Sequence, residues 1–253
     1  MDNNTAISLV NLSKTFKIVE NRNYTLRGAI SNLFKQENIK YVPALKNLNI
    51  DIKKGEKIGV VGTNGSGKST LLKIIGGIYP PDKGGKITID GKCIRLALGT
   101  GFNFDFSARQ NIYINGSLLG MSFKQIGERF QDIIDLAELH EFVDTKLKFY
   151  SSGMKMRLSF AIAMYVESDI FLIDEFFGGV GDENFRRKSN KIFQSSIIEG
   201  KTIINVSHSM EIIRQNSDRV IWMDKGDCKM IDKTNEVLEK YLASFEDLKN
   251  KQD

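Results

Sequence analysis

The sequence predicts an α/β fold with a largely parallel sheet, and three observations predict it. Short β-type runs, KIGVVG, KITID, IFLID, KTIINVS and RVIWMD, alternate with longer stretches of helical periodicity. A glycine-rich loop, GTNGSGKST at 62–70, follows one of those runs and opens a helix. The run IFLID carries an acidic residue to its C-terminal end, the edge at which open α/β sheets place ligands.

Taken in order, the N-terminal region holds two β-like stretches separated by residues 17–42, far longer than a hairpin loop. Inside that segment TLRGAISNLFK puts Leu26, Ile30, Leu33 and Phe34 on one helical face and Arg27 and Lys35 on the other, which suits a contact with a membrane partner or with lipid headgroups, or packing back onto the domain. The helix through LLKIIGGI is expected to end at Pro80-Pro81, and Asp90-Gly91 signals a hairpin joining KITI to KCIRLAL, hence an antiparallel piece beside the sheet. A helical part is expected at about 105–165. Near the end, Val237, Leu238, Tyr241, Leu242, Phe245 and Leu248 form a stripe on a helix at about 234–249, expected to pack on its own core. The 253 residues, 41% hydrophobic, are read as one domain with the 17–42 segment inserted.

Composition excludes several classes. No apolar run approaches the roughly 18 residues of a membrane helix, and MDNNTAISLVNLSK has an acid where a secretory signal has its basic end, so a cytosolic chain is expected. Cys93 and Cys228, far apart in sequence, read as reduced thiols and not as a zinc site. The net charge of +5 arises from lysines scattered among acids, a solvated surface and not a nucleic-acid stripe.

GTNGSGKST satisfies G-x-x-x-x-G-K-[ST] at Gly62, Gly67, Lys68 and Ser69. Such a loop, Gly62, Thr63, Asn64, Gly65, Ser66, Gly67, Lys68, Ser69 and Thr70, turns successive backbone N–H groups inward on a phosphate chain at a helix N-terminus. Lys68 is expected at the β- and γ-phosphates and the Ser69 hydroxyl on Mg²⁺. At the end of IFLID, Asp174 is the second expected Mg²⁺ ligand, and Glu175, one residue on, is placed to polarise an attacking water. His208, past the run TIINV, is a candidate γ-phosphate contact. YSSGM, Tyr150, Ser151, Ser152, Gly153 and Met154, joins two hydroxyls and a glycine at a helix start, where Ser151 either faces an anion or caps the helix.

In the order GTNGSGKST, YSSGM, IFLIDE, GGVGD and NVSH, over nearly its whole length, the chain resembles the nucleotide-binding subunit of an ATP-binding cassette (ABC) transporter. The resemblance implies a P-loop NTPase core of RecA-like type with antiparallel β and helical subdomains, binding of ATP and Mg²⁺, and a head-to-tail homodimer in which the YSSGM stretch completes the partner's ATP site. It also implies a D-loop aspartate, Asp182, and an aromatic platform for adenine, for which Phe16 in SKTF is the first choice and Tyr41 the alternative, either of them also suited to the core. YSSGM departs from the common LSGGQ form and is similar to the bacterial ATPases that export O-antigen, teichoic acid or capsule. That implies a peripheral protein at the cytoplasmic face of the bacterial inner membrane, driving a separate integral membrane permease that handles a lipid-linked glycan, with no nucleic-acid partner. After the terminal helix this sequence leaves no room for an extra β domain, so direct sugar binding is not expected. The family's glutamine linking Mg²⁺ to the membrane partner has no counterpart: Leu98 and Gly99 fall near its place and Gln110 is too far on. The alternatives are an ABC ATPase for another cargo, which would carry an LSGGQ-like signature and that glutamine, and a soluble cassette protein acting on DNA or ribosomes, which would show two cassettes or a coiled coil.

Overall fold

The computed structural model of the chain describes residues 4–20, 38–96, 101–174, 185, 200–207 and 209–249. Glu175, Asp182, His208, Leu98, Gly99 and the expected amphipathic helix at Leu26–Phe34 lie outside the described residues. The strands are β1 (Thr5–Glu20), β2 (Asn38–Lys53), β3 (Lys57–Val61), β4 (Lys86–Ile89), β5 (Cys93–Leu96), β6 (Ile170–Asp174), β7 (Thr202–Val206), β8 (Arg219–Asp224) and β9 (Asp227–Lys233). The α-helices among the described residues are α1 (Lys68–Ile75), α2 (Ala108–Leu118), α3 (Phe123–Ala137), α4 (Ser152–Met164), α5 (Met210–Asn216) and α6 (Thr234–Lys249).

Two sheets organise the described residues, a three-stranded one in the order β2-β1-β4 and a six-stranded one in the order β5-β6-β7-β3-β8-β9. From β5 to β8 the neighbours run parallel, and β9 pairs antiparallel on β8. Every residue of β7, and of β6 up to Ile173, is buried, which explains why IFLI reads as a continuous apolar stretch rather than an alternating one, whereas β7 also buries the polar Thr202 and Asn205. One face of the large sheet packs on α1 and the small sheet through Ile58, Val60, Leu71, Leu72, Ile170 and Leu172. The other face packs on α2, α3 and α4 through Ile112, Ile133, Phe160, Phe171 and Ile173. On α6 the stripe buries Val237, Leu238 and Tyr241 against Ile213 and Val220, with the Tyr241 ring edge-on to Trp222 at 5.5 Å, while Leu242 and Phe245 remain exposed.

Two expectations are corrected. Asp90-Gly91 is not a hairpin: β4 pairs with β1 in the small sheet and β5 with β6 in the large one, so the turn carries the chain between sheets. A turn dipeptide specifies the reversal but not which edges the flanking strands find. Nor does the helix of LLKIIGGI run to the prolines. It stops at Ile75 because Gly77, at φ 73, closes a left-handed cap in which its N–H donates to the Ile74 carbonyl at 3.0 Å and the Ile78 N–H to the Lys73 carbonyl at 2.8 Å. In addition, β1 and β2 are longer than their sequence suggests and pair through Glu20 and Asn38, within the segment read as an insertion.

Candidate functional site

The loop between β3 and α1 is held by its backbone. Gly62, Gly65 and Gly67 have φ of 153, 78 and 107, a left-handed region that side chains disfavour. At Gly62 a Cβ would collide with the carbonyl oxygen of Met223 on β8, and at Gly67 it would lie 2.6 Å from the carbonyl oxygen of Ala44 on β2. The turn between β8 and β9 clamps the loop from outside. Lys225 and Gly226, both at positive φ, form the tight hairpin turn that matches strand twist, and the Gly226 N–H donates to the Ser66 carbonyl at 3.0 Å.

Gly67, the N-cap of α1, has no side chain to cap it, so among the described residues the first turn is a set of backbone donors with the positive end of the helix dipole behind them. Lys68 is buried and arches back over the loop, donating from Nζ to the carbonyls of Gly62 at 2.7 Å and Thr63 at 3.0 Å. The residues Asn64–Thr70, with Val42, Pro43 and Ala44 of β2, line a cavity of about 250 Å³, and Ser69 is exposed at its helical wall. Phe16 lies opposite Val42 in the β1–β2 ladder, on the face of that wall residue, half-buried and edge-on to Tyr79 at 5.3 Å. Tyr41 pairs with Lys17 on the opposite face and is 65% exposed.

Because β3 and β6 run in the same direction, Asp174 ends at the sheet edge from which the loop departs. Its carboxylate is not open: Arg95 of β5 donates from Nη2 to Oδ2 at 2.9 Å. Arg95 is absent from the sequence-based candidates, although an arginine inside the apolar run CIRLAL is a signal in itself.

The YSSGM stretch divides by orientation. Tyr150 is buried, its hydroxyl donates to the Phe142 carbonyl at 2.6 Å, and burial pushes its pKa up to about 12. Met154 packs on the helical core. Ser151 and Ser152 are exposed, and Ser151 is the N-cap of α4, its Oγ accepting from the Met154 N–H at 3.1 Å. At Gly153 the backbone is ordinary helix and the nearest described atom to an added Cβ is the Ser151 Oγ at 3.8 Å, so no described residue demands glycine there. Gln110 is engaged elsewhere, as its Oε1 accepts from the Ser107 N–H at 2.9 Å in a capping box that starts α2.

Residues 45–178 match the ABC transporter family. The chain is 41% identical over 253 residues to the O-antigen export system ATP-binding protein RfbB of Myxococcus xanthus, covering 95% of this chain and 56% of that protein. It is 38% identical over 232 residues to the teichoic acids export ATP-binding protein TagH of Enterococcus faecalis, covering 92% of this chain and 51% of that one. This chain thus spans about half the length of these two curated relatives. Among solved structures, the fold matches a dimeric ATP-binding cassette, MJ0796, bound to ADP and phosphate, with a TM-score of 0.69 at 24% identity over 90% of this chain and 98% of that one. With a phosphate-loop cradle at the edge of a parallel sheet and a family match across more than half of its residues, the chain belongs to the ABC transporter family.

Proposed function

We propose that this protein is the ATPase subunit of an ABC exporter, binding and hydrolysing ATP between two copies of itself to drive a lipid-linked polysaccharide through a separate membrane permease. The observation that carries the nucleotide reading is the uncapped α1 N-terminus behind a loop whose glycines a side chain would disrupt. The polysaccharide reading rests on RfbB and TagH, whose names state O-antigen and teichoic acid export. Among the described residues no helix is long and apolar enough to cross a membrane, in keeping with a peripheral subunit at the cytoplasmic face of the inner membrane.

In this reading the donors of loop 62–70 hold the phosphate chain, and Lys68 turns from the Gly62 and Thr63 carbonyls to the β- and γ-phosphates. Phe16, on the face of Val42, is favoured over Tyr41 as the adenine platform. The residues fit Mg²⁺ that arrives with the nucleotide: Asp174 and Ser69 offer oxygen donors, and among the described residues no cluster of three or more His, Cys, Asp or Glu could hold a metal by itself. Bound there, Mg²⁺ would neutralise phosphate charge. Glu175 polarises the attacking water, His208 donates to the γ-phosphate, and Asp182 lies in the D-loop. Across the dimer, Ser151, Ser152 and Gly153 face the partner's nucleotide, while Tyr150 and Met154 anchor the stretch from within.

The test is to make Glu175→Gln the only copy in the native cell. Polymer retained inside and lost from the surface is the expected outcome. Unchanged surface glycan would remove the polysaccharide from this reading.

A further inference from the structure

The pair formed by Arg95 and Asp174 has no part in the reading above, yet it involves the carboxylate expected to meet the metal. Both residues lie on the α1 face of the large sheet. Cys93, two positions before Arg95, and Leu172, two before Asp174, pack in the core with α1, whereas Ile94 and Ile173 face the helical layer. Arg95 is in register with Leu172, so its guanidinium reaches along the sheet to the last residue of β6. The two side chains are 23% and 15% exposed, a setting in which an ion pair is screened less than at the surface.

The pair is not tight. Arg95 makes one hydrogen bond to the carboxylate at 2.9 Å, and its Nε is buried with no partner among the described residues. A guanidinium that leaves a buried donor unpaired forgoes the two-pronged geometry that makes such pairs strong. Nor is the Arg95 side chain built to reach the phosphates itself. A Cβ placed on Gly76 would lie 3.8 Å from the Arg95 Cβ, so Arg95 is rooted at the C-terminal end of α1. The phosphate cradle is at the other end of this helix, about 12 Å away for eight residues at 1.5 Å each.

We propose that Arg95 is a positioning residue, a built-in counter-ion that holds the Asp174 carboxylate while the site lacks nucleotide and cedes it to the divalent cation accompanying the nucleotide. The inference rests on the nucleotide reading above. A divalent cation would need the oxygen lone pairs of the carboxylate and would repel a guanidinium held on it, so the two compete. Arg95 therefore weakens the metal's hold while keeping Asp174 oriented and its charge compensated.

The test uses the full chain and a fluorescent ATP analogue, measuring affinity in EDTA and then the Mg²⁺ concentration at half-effect with the analogue fixed. For Arg95→Gln the Mg²⁺ midpoint should fall roughly three- to tenfold, the net scale of one ordinary hydrogen bond, while affinity in EDTA stays put. Arg95→Lys, which keeps the charge on a different head group, should lie between, and Asp174→Asn should abolish the Mg²⁺ effect. An unchanged or raised midpoint in Arg95→Gln overturns the proposal, and so does a loss of affinity in EDTA as large as that in Mg²⁺, which would make Arg95 structural or a phosphate contact. If Arg95→Gln does not fold, Arg95→Lys decides: an unaltered midpoint there overturns the proposal, a lowered one supports it. If the unaltered chain binds no analogue at all, the nucleotide reading fails first and this inference fails with it.

Discussion

In the proposed function the one side chain of Lys68 serves two states. Its ammonium satisfies the Gly62 and Thr63 carbonyls at 2.7 and 3.0 Å, so the loop is shaped before any ligand arrives, and the same three donors can be turned to phosphate oxygens. Lys68→Ala removes both roles, and ATP affinity should fall roughly tenfold or more while the protein still folds; equilibrium binding checks this, and unchanged affinity would sink the assignment. Two glycines separate fold from function. Gly67→Ala puts a Cβ 2.6 Å from the Ala44 oxygen at φ 107 and should cost about 1–3 kcal/mol of stability as well as nucleotide binding. Gly153→Ala meets nothing closer than 3.8 Å, so melting temperature and single-chain nucleotide binding should hold while hydrolysis falls. Normal hydrolysis in Gly153→Ala would show that no partner nucleotide approaches there.

At the scale of elements, the start of α4 is fixed by two different devices. Ser151 caps the helix from outside, and Tyr150 is pinned from inside by its hydrogen bond to Phe142. The raised pKa of Tyr150 gives this anchor a pH dependence. In the folded state the phenol keeps its proton up to about 12, whereas the unfolded chain releases it near the ordinary value of 10.0. Above pH 10 the folded state therefore binds more protons, and stability falls as pH rises from about 10 towards 12. Tyr150→Phe should lose about 1 kcal/mol at neutral pH, the worth of one hydrogen bond, and show a shallower alkaline loss. Denaturant melts of both proteins at pH 8 and pH 11 measure the difference, and equal alkaline slopes would count against Tyr150 as the group responsible. The nucleotide loop also depends on distant elements, with β2 pressing on Gly67 and the β8–β9 turn holding Ser66.

For the whole molecule, a site split between the loop at 62–70 and the exposed start of α4 makes the dimer the working unit in the proposed function. Glu175→Gln should bind ATP, hydrolyse it far more slowly and accumulate a dimer, which light scattering with and without ATP would reveal. A monomer at saturating ATP would argue against the two-copy site. Much of this architecture was legible in advance because it is local chemistry. The phosphate loop needs its glycines next to its lysine, and the strands at Lys57–Val61 and Ile170–Asp174 are central, so burial on both faces makes IGVV and IFLI continuous apolar runs.

The sequence by itself determined the fold class, the residues of loop 62–70 and the helix start at Ser151, since each is set by neighbours within a few positions of chain. Tertiary structure decided what depends on which strand lies beside which. It sent β4 and β5 to different sheets across Asp90-Gly91, set Phe16 beside Val42 and Tyr41 away from it, and brought Arg95 onto Asp174 across 79 residues of sequence. No local pattern carries those pairings, because a strand's hydrogen bonds can be satisfied by any edge and only the competition among all the buried faces selects one.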